Sequence, residues 1–236
     1  DYSVAGCQEP LIMGKDNGNT TNSWLNLGKI LELCISGGIS TITGKKLGKT
    51  DEENGCKNKL EVLQNIRRIF YQNVDEYADR MTKAANAASE AIGLLQVPFL
   101  STMMGGVESG IDTRDTKRQG TKYNGSGCLI HGLSVVADSF IAIDTLLKER
   151  PQDADRLVEA VPTNFENDPQ MHEYLMNCKK FGNNEAEVDR EAQEVANKVA
   201  DIVASKKNYL GNPFRSDFST PVSYTHLRAH ETDQYL

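Results

Sequence analysis

The sequence predicts a helix-rich α/β fold, and three features of the chain indicate it. Apolar residues recur at steps of three and four over most of the length, which is the period of an amphipathic helix. Stretches dense in glycine and asparagine separate these segments and are typical of loops. The remainder leaves room only for short strands, near residues 2–6, 39–43 and 123–130.

The elements can be assigned in chain order from these signals. Residues 6–26 predict a long irregular loop, and the next helix ends at Gly37-Gly38 because glycine readily takes the left-handed conformation of a helix C-terminus. Small residues at 84–91 predict close packing of the longest helix against a neighbour, and Pro98 suits a first helical turn. The predicted helices are 23–36, 59–96, 98–104, 133–148, 153–161, 169–178 and 185–206, with further loops at 39–56, 105–127 and 209–221.

Composition excludes several classes of protein. Hydrophobic residues make up 39% and charged residues 25% of the chain, as in an ordinary globular domain. The net charge of −7 disfavours nucleic-acid binding, which needs clustered Lys and Arg. We find no apolar run of membrane-spanning length and no basic leader. The chain opens with Asp1 instead of Met, so we expect an internal segment of a cytoplasmic protein.

The cysteines argue against a metal centre or a disulfide framework. They are odd in number, widely spaced and include no C-x-x-C pair, so no metal site such as a zinc ribbon or an iron–sulfur centre is expected in this chain. The simplest interpretation is a set of buried, inert thiols in a reducing compartment, one of which could differ. The five are Cys7, Cys34, Cys56, Cys128 and Cys178.

The C-terminal stretch has a different character from the rest. His226 and His230 stand at i, i+4, a spacing that would suit a metal site on a helix. However, the peptide from Val222 to Thr232 resembles a translated transposon-based sequencing adapter. We therefore interpret residues 1–221 as the native part and exclude 222–236 from the fold prediction.

One loop combines groups that could carry chemistry. In Gly6-Cys7-Gln8-Glu9-Pro10 a thiol and a carboxylate stand two residues apart, and in an extended segment such side chains point to the same side. Gly6 removes bulk beside the thiol, and Pro10 biases Glu9 towards extended geometry. Spacing alone leaves two interpretations open, a reactive pair or a buried thiol beside a surface carboxylate.

The wider sequence favours the reactive pair. Several blocks stand in a recognisable order across residues 1–221, and together they resemble the glycyl radical enzymes, the pyruvate formate-lyase-like superfamily. The G-C-x-E-P block is the most specific of them. The blocks are Gly6-Cys7-x-Glu9-Pro10, Asn26-Leu27-x-Lys29-x-Leu31-Glu32-Leu33 with Gly37-Gly38, Pro98-Phe99-Leu100-Ser101, Lys122-Tyr123-Asn124, Gly132 with Ala137-Asp138-Ser139, and Phe181-Gly182-Asn183 with Asp189.

The resemblance implies a fold, a chemistry and partners. The chain would be the helix-rich C-terminal part of a ten-stranded α/β barrel, truncated at both ends. Cys7 would form the transient thiyl radical, and Glu9 would act as general acid or base. No cofactor would be bound here, since the glycyl radical would lie outside this chain, installed by an activating enzyme that uses S-adenosylmethionine and an iron–sulfur cluster. A small-molecule substrate, a homodimeric parent and an anaerobic bacterium's cytoplasm or microcompartment are also implied.

Departures from the family pattern narrow the reaction. Pyruvate formate-lyase has a second cysteine where this chain has Gln8, so the resemblance points to the branch of dehydratases, choline trimethylamine-lyase and arylacetate decarboxylases, which cleave C–O, C–N or C–C bonds. Residues 218–221 favour the decarboxylases. The R-V-x-G-Y glycine loop and the N-terminal half of the barrel are absent, so the chain alone should be inactive. The alternatives are a formate-lyase-type acyltransferase and a non-catalytic helical interaction module built on residues 59–96.

Four further residues could line a pocket. Cys128 and His131 lie where a loop enters a helix, and Glu108 and Asp112 stand in a glycine-rich loop. For the first two we favour a buried thiol and a structural histidine. For the carboxylates we favour a solvated loop.

Overall fold

A computed structural model describes residues 2–5, 9–16 and 23–218. Within these ranges the chain is a mixed α/β structure, as predicted, and none of its helices is long and apolar enough to cross a membrane. The strands are β1 Tyr2–Ala5, β2 Glu9–Ile12, β3 Ser23–Asn26, β4 Ser126–His131 and β5 Phe214–Asp217. The helices are α1 Leu27–Ile35, α2 Lys59–Gln64, α3 Ile66–Ile92, α4 Pro98–Met103, α5 Gly106–Ser109, α6 Leu133–Glu149, α7 Ala154–Ala160, α8 Pro169–Met176 and α9 Ala186–Ser205.

The predicted long helix at 59–96 is two helices in the structure. The break is at Asn65, whose side-chain amide donates to the Glu61 carbonyl at 2.9 Å while its own carbonyl accepts from Ile69 N–H at 3.0 Å. Asn65 therefore ends α2 and begins α3, because asparagine competes well for local backbone groups. The remaining predicted helices, from Pro98 onwards, are confirmed to within two residues at each end.

The prediction of a helix beginning at Ser23 was wrong. Residues 23–26 alternate between buried and exposed positions and form strand β3. The helix begins at Leu27 because Asn26 is its N-cap, with its side-chain oxygen accepting from Lys29 N–H at 2.9 Å.

Strand predictions were correct only in part. Strands near 2–6 and 123–130 are confirmed as β1 and β4, but 39–43 is a turn with a single bridge between Ile39 and Lys46. Strands β2, β3 and β5 and the short helix α5 lie in segments predicted as loop or helix. β5 has four residues and pairs with a strand about ninety positions away, so local sequence signals do not reveal it.

The described residues fall into two compact units. The described residues of unit 1 lie within 2–25, 75–131 and 200–218. Its sheet has the order β3-β4-β5, with β4 and β5 parallel and β4 buried along its whole length. Strands β1 and β2 form a separate antiparallel pair in the same unit.

Unit 2 is helical, and its described residues are Asn26–Val74 and Gly132–Val199. At its centre the fully buried rings of Phe70 and Phe140 meet edge to face, with centroids 5.4 Å apart at 86°. The Arg67 guanidinium stacks over Phe140 at 4.8 Å and forms paired hydrogen bonds to both Asp144 and Glu191. Such an aromatic pair adds about 1 kcal/mol to the burial of its area.

The apolar stripe of α3 is buried only over part of its length. Phe70, Val74 and Ala78 are fully buried, and Ala85 is 4% exposed. Around Ala85, the described part of the chain does not show the predicted close packing of the small residues, since Ala84, Ala87 and Ala88 are exposed. Ile92 and Leu95 are also exposed, at 51% and 67%. The apolar stripe thus extends beyond the buried part of α3, and its C-terminal residues are not buried by other described residues of this chain.

Candidate functional site

The candidate site is built on the hairpin of β1 and β2. The two strands pair along their whole length, from Tyr2 opposite Ile12 to Ala5 opposite Glu9. Pro10 stands opposite Val4 and offers no N–H, which a two-stranded sheet tolerates because each of its strands has a free edge. Glu9 and Pro10, the described residues of the G-C-x-E-P block, therefore stand at the end of the hairpin at which Ala5 and Glu9 are paired.

The two predicted catalytic residues are described unequally. Cys7 lies outside the described residues, as do its neighbours Gly6 and Gln8. Glu9 is the first residue of β2, and its backbone position is described but its side chain is not. The predicted pairing of the Cys7 thiol with the Glu9 carboxylate therefore stays a prediction.

The other end of the hairpin is tied to the rest of unit 1. A turn follows β2, in which Lys15 N–H and Asp16 N–H both donate to the Ile12 carbonyl, at 3.1 and 2.9 Å. Tyr123 N–H donates to the Lys15 carbonyl at 2.8 Å, and residues 16 and 123 form a parallel bridge. Tyr123 belongs to the Lys122-Tyr123-Asn124 block, so that block contacts the turn that follows the hairpin.

An ion pair adds to this attachment. The Arg215 guanidinium donates from both terminal nitrogens to the two carboxylate oxygens of Asp16, at 2.9 and 3.1 Å. Asp16 is only 6% exposed, and Arg215 lies on β5. Sequence reasoning missed both residues. No local sequence pattern indicates that Asp16 and Arg215 pair, since they stand 199 positions apart.

The sheet of unit 1 places His131 beside an aromatic ring. His131 ends β4, is 7% exposed, and its ring lies 5.2 Å from the Trp24 ring at an angle of 56°. Burial lowers the pKa of His131 below its usual value, and the charge of Asp217 offsets part of that effect. An imidazole buried against the Trp24 ring fits the structural interpretation that the sequence favoured.

Cys128 is a core residue. It is fully buried in β4, and its sulfur lies 3.3 Å from the Met81 sulfur. Burial raises the pKa of the Cys128 thiol to about 12, with a smaller opposing effect from the Ser23 hydroxyl. A thiol held protonated in this way is a poor nucleophile, as the sequence interpretation expected.

Asp112 organises its loop. Its carboxylate accepts from Val97 N–H at 2.8 Å, from the Ser101 hydroxyl at 3.0 Å and from Arg114 N–H at 2.9 Å. Burial alone would raise the pKa of Asp112, but these hydrogen bonds outweigh it and lower the pKa below its usual value. Asp112 is thus a half-buried structural acceptor instead of the solvated loop residue that we expected, whereas Glu108 is exposed as expected.

The described side chains do not form a metal site. Across residues 2–5, 9–16 and 23–218, no group of three or more His, Cys, Asp or Glu side chains could hold a metal ion. Among the acid–base groups that the described part of unit 1 brings together, the Asp16–Arg215 pair and the His131–Asp217 neighbourhood lie at its strands, whereas Lys206 pairs with Asp75 and Asp79 elsewhere in the unit.

Comparison with known proteins gives a consistent result. The family model described as pyruvate formate lyase-like matches residues 1–228. The chain is 29% identical over 194 residues to (2S)-3-sulfopropanediol dehydratase of Klebsiella oxytoca, covering 80% of this chain and 23% of that protein. It is 24% identical over 222 residues to trans-4-hydroxy-L-proline dehydratase of Clostridioides difficile, covering 91% and 27%.

A solved structure agrees with these relatives. The glycerol-bound form of the B12-independent glycerol dehydratase from Clostridium butyricum superposes with a TM-score of 0.79 at 26% identity, covering 92% of this chain and 27% of that one. The chain thus spans about a quarter of the length of the proteins it matches.

Proposed function

The chain belongs to the pyruvate formate lyase-like family of glycyl radical enzymes, and on this premise we propose that its parent protein is a dehydratase in which Cys7 and Glu9 carry out the chemistry. The observation that carries the proposal is the G-C-x-E-P sequence block, whose Glu9 begins strand β2 of a hairpin, in a chain whose reported relatives are named as dehydratases. Those names favour cleavage of a C–O bond over the decarboxylation that residues 218–221 suggested. They also favour it over acyl transfer.

Each residue would have a separate task. A glycyl radical elsewhere in the parent supplies the unpaired electron. The Cys7 sulfur takes a hydrogen atom from the substrate carbon next to the one that bears the leaving hydroxyl. In a 1,2-diol, the Glu9 carboxylate then takes the proton of the hydroxyl on the radical carbon and delivers it to the neighbouring hydroxyl, which leaves as water. The Cys7 thiol finally returns its hydrogen atom to the product radical. The net change is loss of one water, with no external oxidant or reductant.

The division of work suits a site with little water. A thiyl radical is neutral and needs no charge solvation, whereas the proton transfer requires a second group close to it. Glu9 stands two residues from Cys7 in the sequence and directly opposite Ala5 across the hairpin. We place this hairpin in a ten-stranded barrel completed by the rest of the parent chain, where a dry interior would protect the radical from side reactions.

We also propose that residues 222–236 are the adapter-like peptide and not part of the native protein.

The test uses the full-length parent, activated anaerobically by its S-adenosylmethionine-dependent activating enzyme. Cys7→Ala and Glu9→Gln are compared with Cys178→Ser, a control that also removes a thiol. We expect both site variants to lose at least about 1000-fold in turnover, the size of effect seen when a nucleophile or its base is removed. The glycyl radical signal in electron paramagnetic resonance should remain, and Cys178→Ser should be active.

The substrate panel separates the reaction classes. It contains 1,2-diols, a sulfonated diol and trans-4-hydroxyproline for dehydration, an arylacetate for decarboxylation, choline for C–N cleavage and pyruvate for acyl transfer. Release of an aldehyde or dehydrated product supports the proposal. Turnover of only pyruvate or the arylacetate would assign the parent to another branch. Substantial turnover by Cys7→Ala on any of them would remove Cys7 from the mechanism and leave the helical interaction module as the better account.

A further inference from the structure

The ion pair between Asp16 and Arg215 has properties of a positioning device. Asp16 is 6% exposed, and removing a carboxylate from water costs several kcal/mol unless a partner satisfies it. The paired hydrogen bonds from Arg215, at 2.9 and 3.1 Å, provide that partner in the geometry that a guanidinium and a carboxylate prefer. Such pairs add little net stability over apolar packing, but they fix the relative orientation of the two elements that carry them.

The absence of a side chain at Gly125 leaves space for the Arg215 guanidinium. A Cβ atom built at Gly125 would lie 2.7 Å from Arg215 Nε and 3.3 Å from its Cδ and Cζ. Any side chain at position 125 would therefore displace the guanidinium. Gly125 precedes β4, and Arg215 is held in β5 opposite Gly127. The backbone of Arg215 is thus held by the parallel pair of strands, and Gly125 leaves its guanidinium room to reach Asp16.

Within this chain the hairpin is attached to the sheet region through its base. Of its described side chains, Tyr2 is 84%, Val4 68% and Met13 65% exposed, while Leu11 and Ile12 are half-buried. The polar contacts between its base and the sheet region of unit 1, in the described part of the chain, are the Asp16–Arg215 pair and the hydrogen bond from Tyr123 N–H to the Lys15 carbonyl.

A small rotation at the base would produce a large shift at Glu9. Three steps along β2, from Ile12 to Glu9, span about 10 Å at roughly 3.3 Å per residue. A rotation of about 6° about the base would move Glu9 by about 1 Å, and an error of that size costs about 100-fold in a reaction that depends on alignment.

We infer that the Asp16–Arg215 pair positions the β1–β2 hairpin, and with it Glu9, relative to β4 and β5 in the working enzyme. This inference rests on the proposed function of Glu9 and Cys7. In this inference neither Asp16 nor Arg215 contacts the substrate. They act by holding the hairpin that carries Glu9.

The experiment compares Asp16→Asn, Arg215→Gln and the double variant in the activated full-length parent. The control is Asp168→Asn, which alters another carboxylate held by an arginine through both oxygens, in this case Arg156. We expect kcat to fall about 10- to 100-fold in each single variant, with KM and the glycyl radical content within about threefold of the wild type. Because the two residues act as a unit, the double variant should be no slower than the slower single variant. Arg215→Lys keeps the charge and should recover part of the rate.

Two results would overturn the inference. One is an unchanged kcat in Asp16→Asn. The other is a fall in kcat that only follows a loss of radical content or of folded protein, which would mean a general structural role.

A second readout separates this inference from the proposed function. Hydrogen exchange in peptides covering residues 2–16 should quicken in Asp16→Asn but not in Asp168→Asn, whether or not the enzyme turns over. If Cys7→Ala in the same series keeps its activity, the proposed function fails, and hydrogen exchange alone decides whether the pair holds the hairpin. Equal exchange in Asp16→Asn and wild type would overturn the inference.

Discussion

Replacing Gly38 by alanine should destabilise the chain because a backbone segment passes directly over it. Gly38 has φ of +80°, and a Cβ there would lie 2.5 Å from the Gly48 carbonyl oxygen, 2.6 Å from the Gly48 carbonyl carbon and 2.7 Å from the Lys49 carbonyl oxygen. The same turn is closed by hydrogen bonds from Leu47 N–H and Gly48 N–H to the Gly38 carbonyl, at 2.8 and 2.9 Å. The clash is with backbone atoms, which cannot rotate away as a side chain can.

Gly55 is a matched control. Its φ is +78°, but nothing lies within 4 Å of the position its Cβ would occupy. Alanine at either site adopts a left-handed conformation at a cost of about 1–2 kcal/mol. A less flexible unfolded chain returns about 0.4–1 kcal/mol at both sites. Gly55→Ala should therefore cost about 1 kcal/mol or less.

Gly38→Ala incurs two further costs. Overpacking against fixed atoms typically adds about 1–3 kcal/mol. Moving residues 48 and 49 away also strains the two hydrogen bonds to Gly38, each with a net worth of about 1 kcal/mol. We expect a total loss of about 2–4 kcal/mol, measured as a lower urea midpoint with an unchanged m-value in far-ultraviolet circular dichroism. If Gly38→Ala and Gly55→Ala differed by less than about 0.5 kcal/mol, the close approach of Gly48 would not matter to stability and the reasoning would be refuted.

Two further predictions follow from the buried titratable groups. Burial lowers the pKa of His131 in the folded chain below its ordinary value near 6.5. At a pH between these two values, His131 is protonated in the unfolded chain but not in the folded chain. The free energy of unfolding should therefore fall as the pH drops below about 6.5, and it should fall less steeply in His131→Gln. Parallel curves from pH 7.5 to 5 would contradict this. Burial also raises the pKa of Cys34 and Cys128 to about 12. At pH 8 iodoacetamide should label both at least about 100-fold more slowly in the folded chain than in urea, and comparable rates would show that the thiols are accessible.

Helix content and family could be predicted from the sequence because both depend on local signals. The three-and-four spacing of apolar residues places the helices from Pro98 onwards to within two residues. The ordered blocks identify the family, which the matching model confirms over residues 1–228. Cys7 and Glu9 could be named as the reactive pair from one specific block, although Cys7 lies outside the described residues and the geometry of the pair stays a prediction.

The errors concern segments where a local pattern admits two structures. Residues 23–26 suit either a helix start or a strand, and pairing within the sheet of β3, β4 and β5 decides for the strand. The predicted strand at 39–43 is a turn, and Ile42 is 85% exposed there instead of packed. Composition predicted close packing at 84–91, but which faces of a helix are covered depends on neighbours that local sequence does not specify.

The sequence by itself determined the helical framework, the acidic and globular character, the family and the two residues on which the proposed chemistry rests. Only the tertiary structure showed that the block carrying Glu9 belongs to a hairpin whose base is held by Asp16 and Arg215. The physical reason is distance along the chain. A helix records its period within a few residues, whereas an ion pair between positions 199 apart leaves no trace in the sequence near either partner.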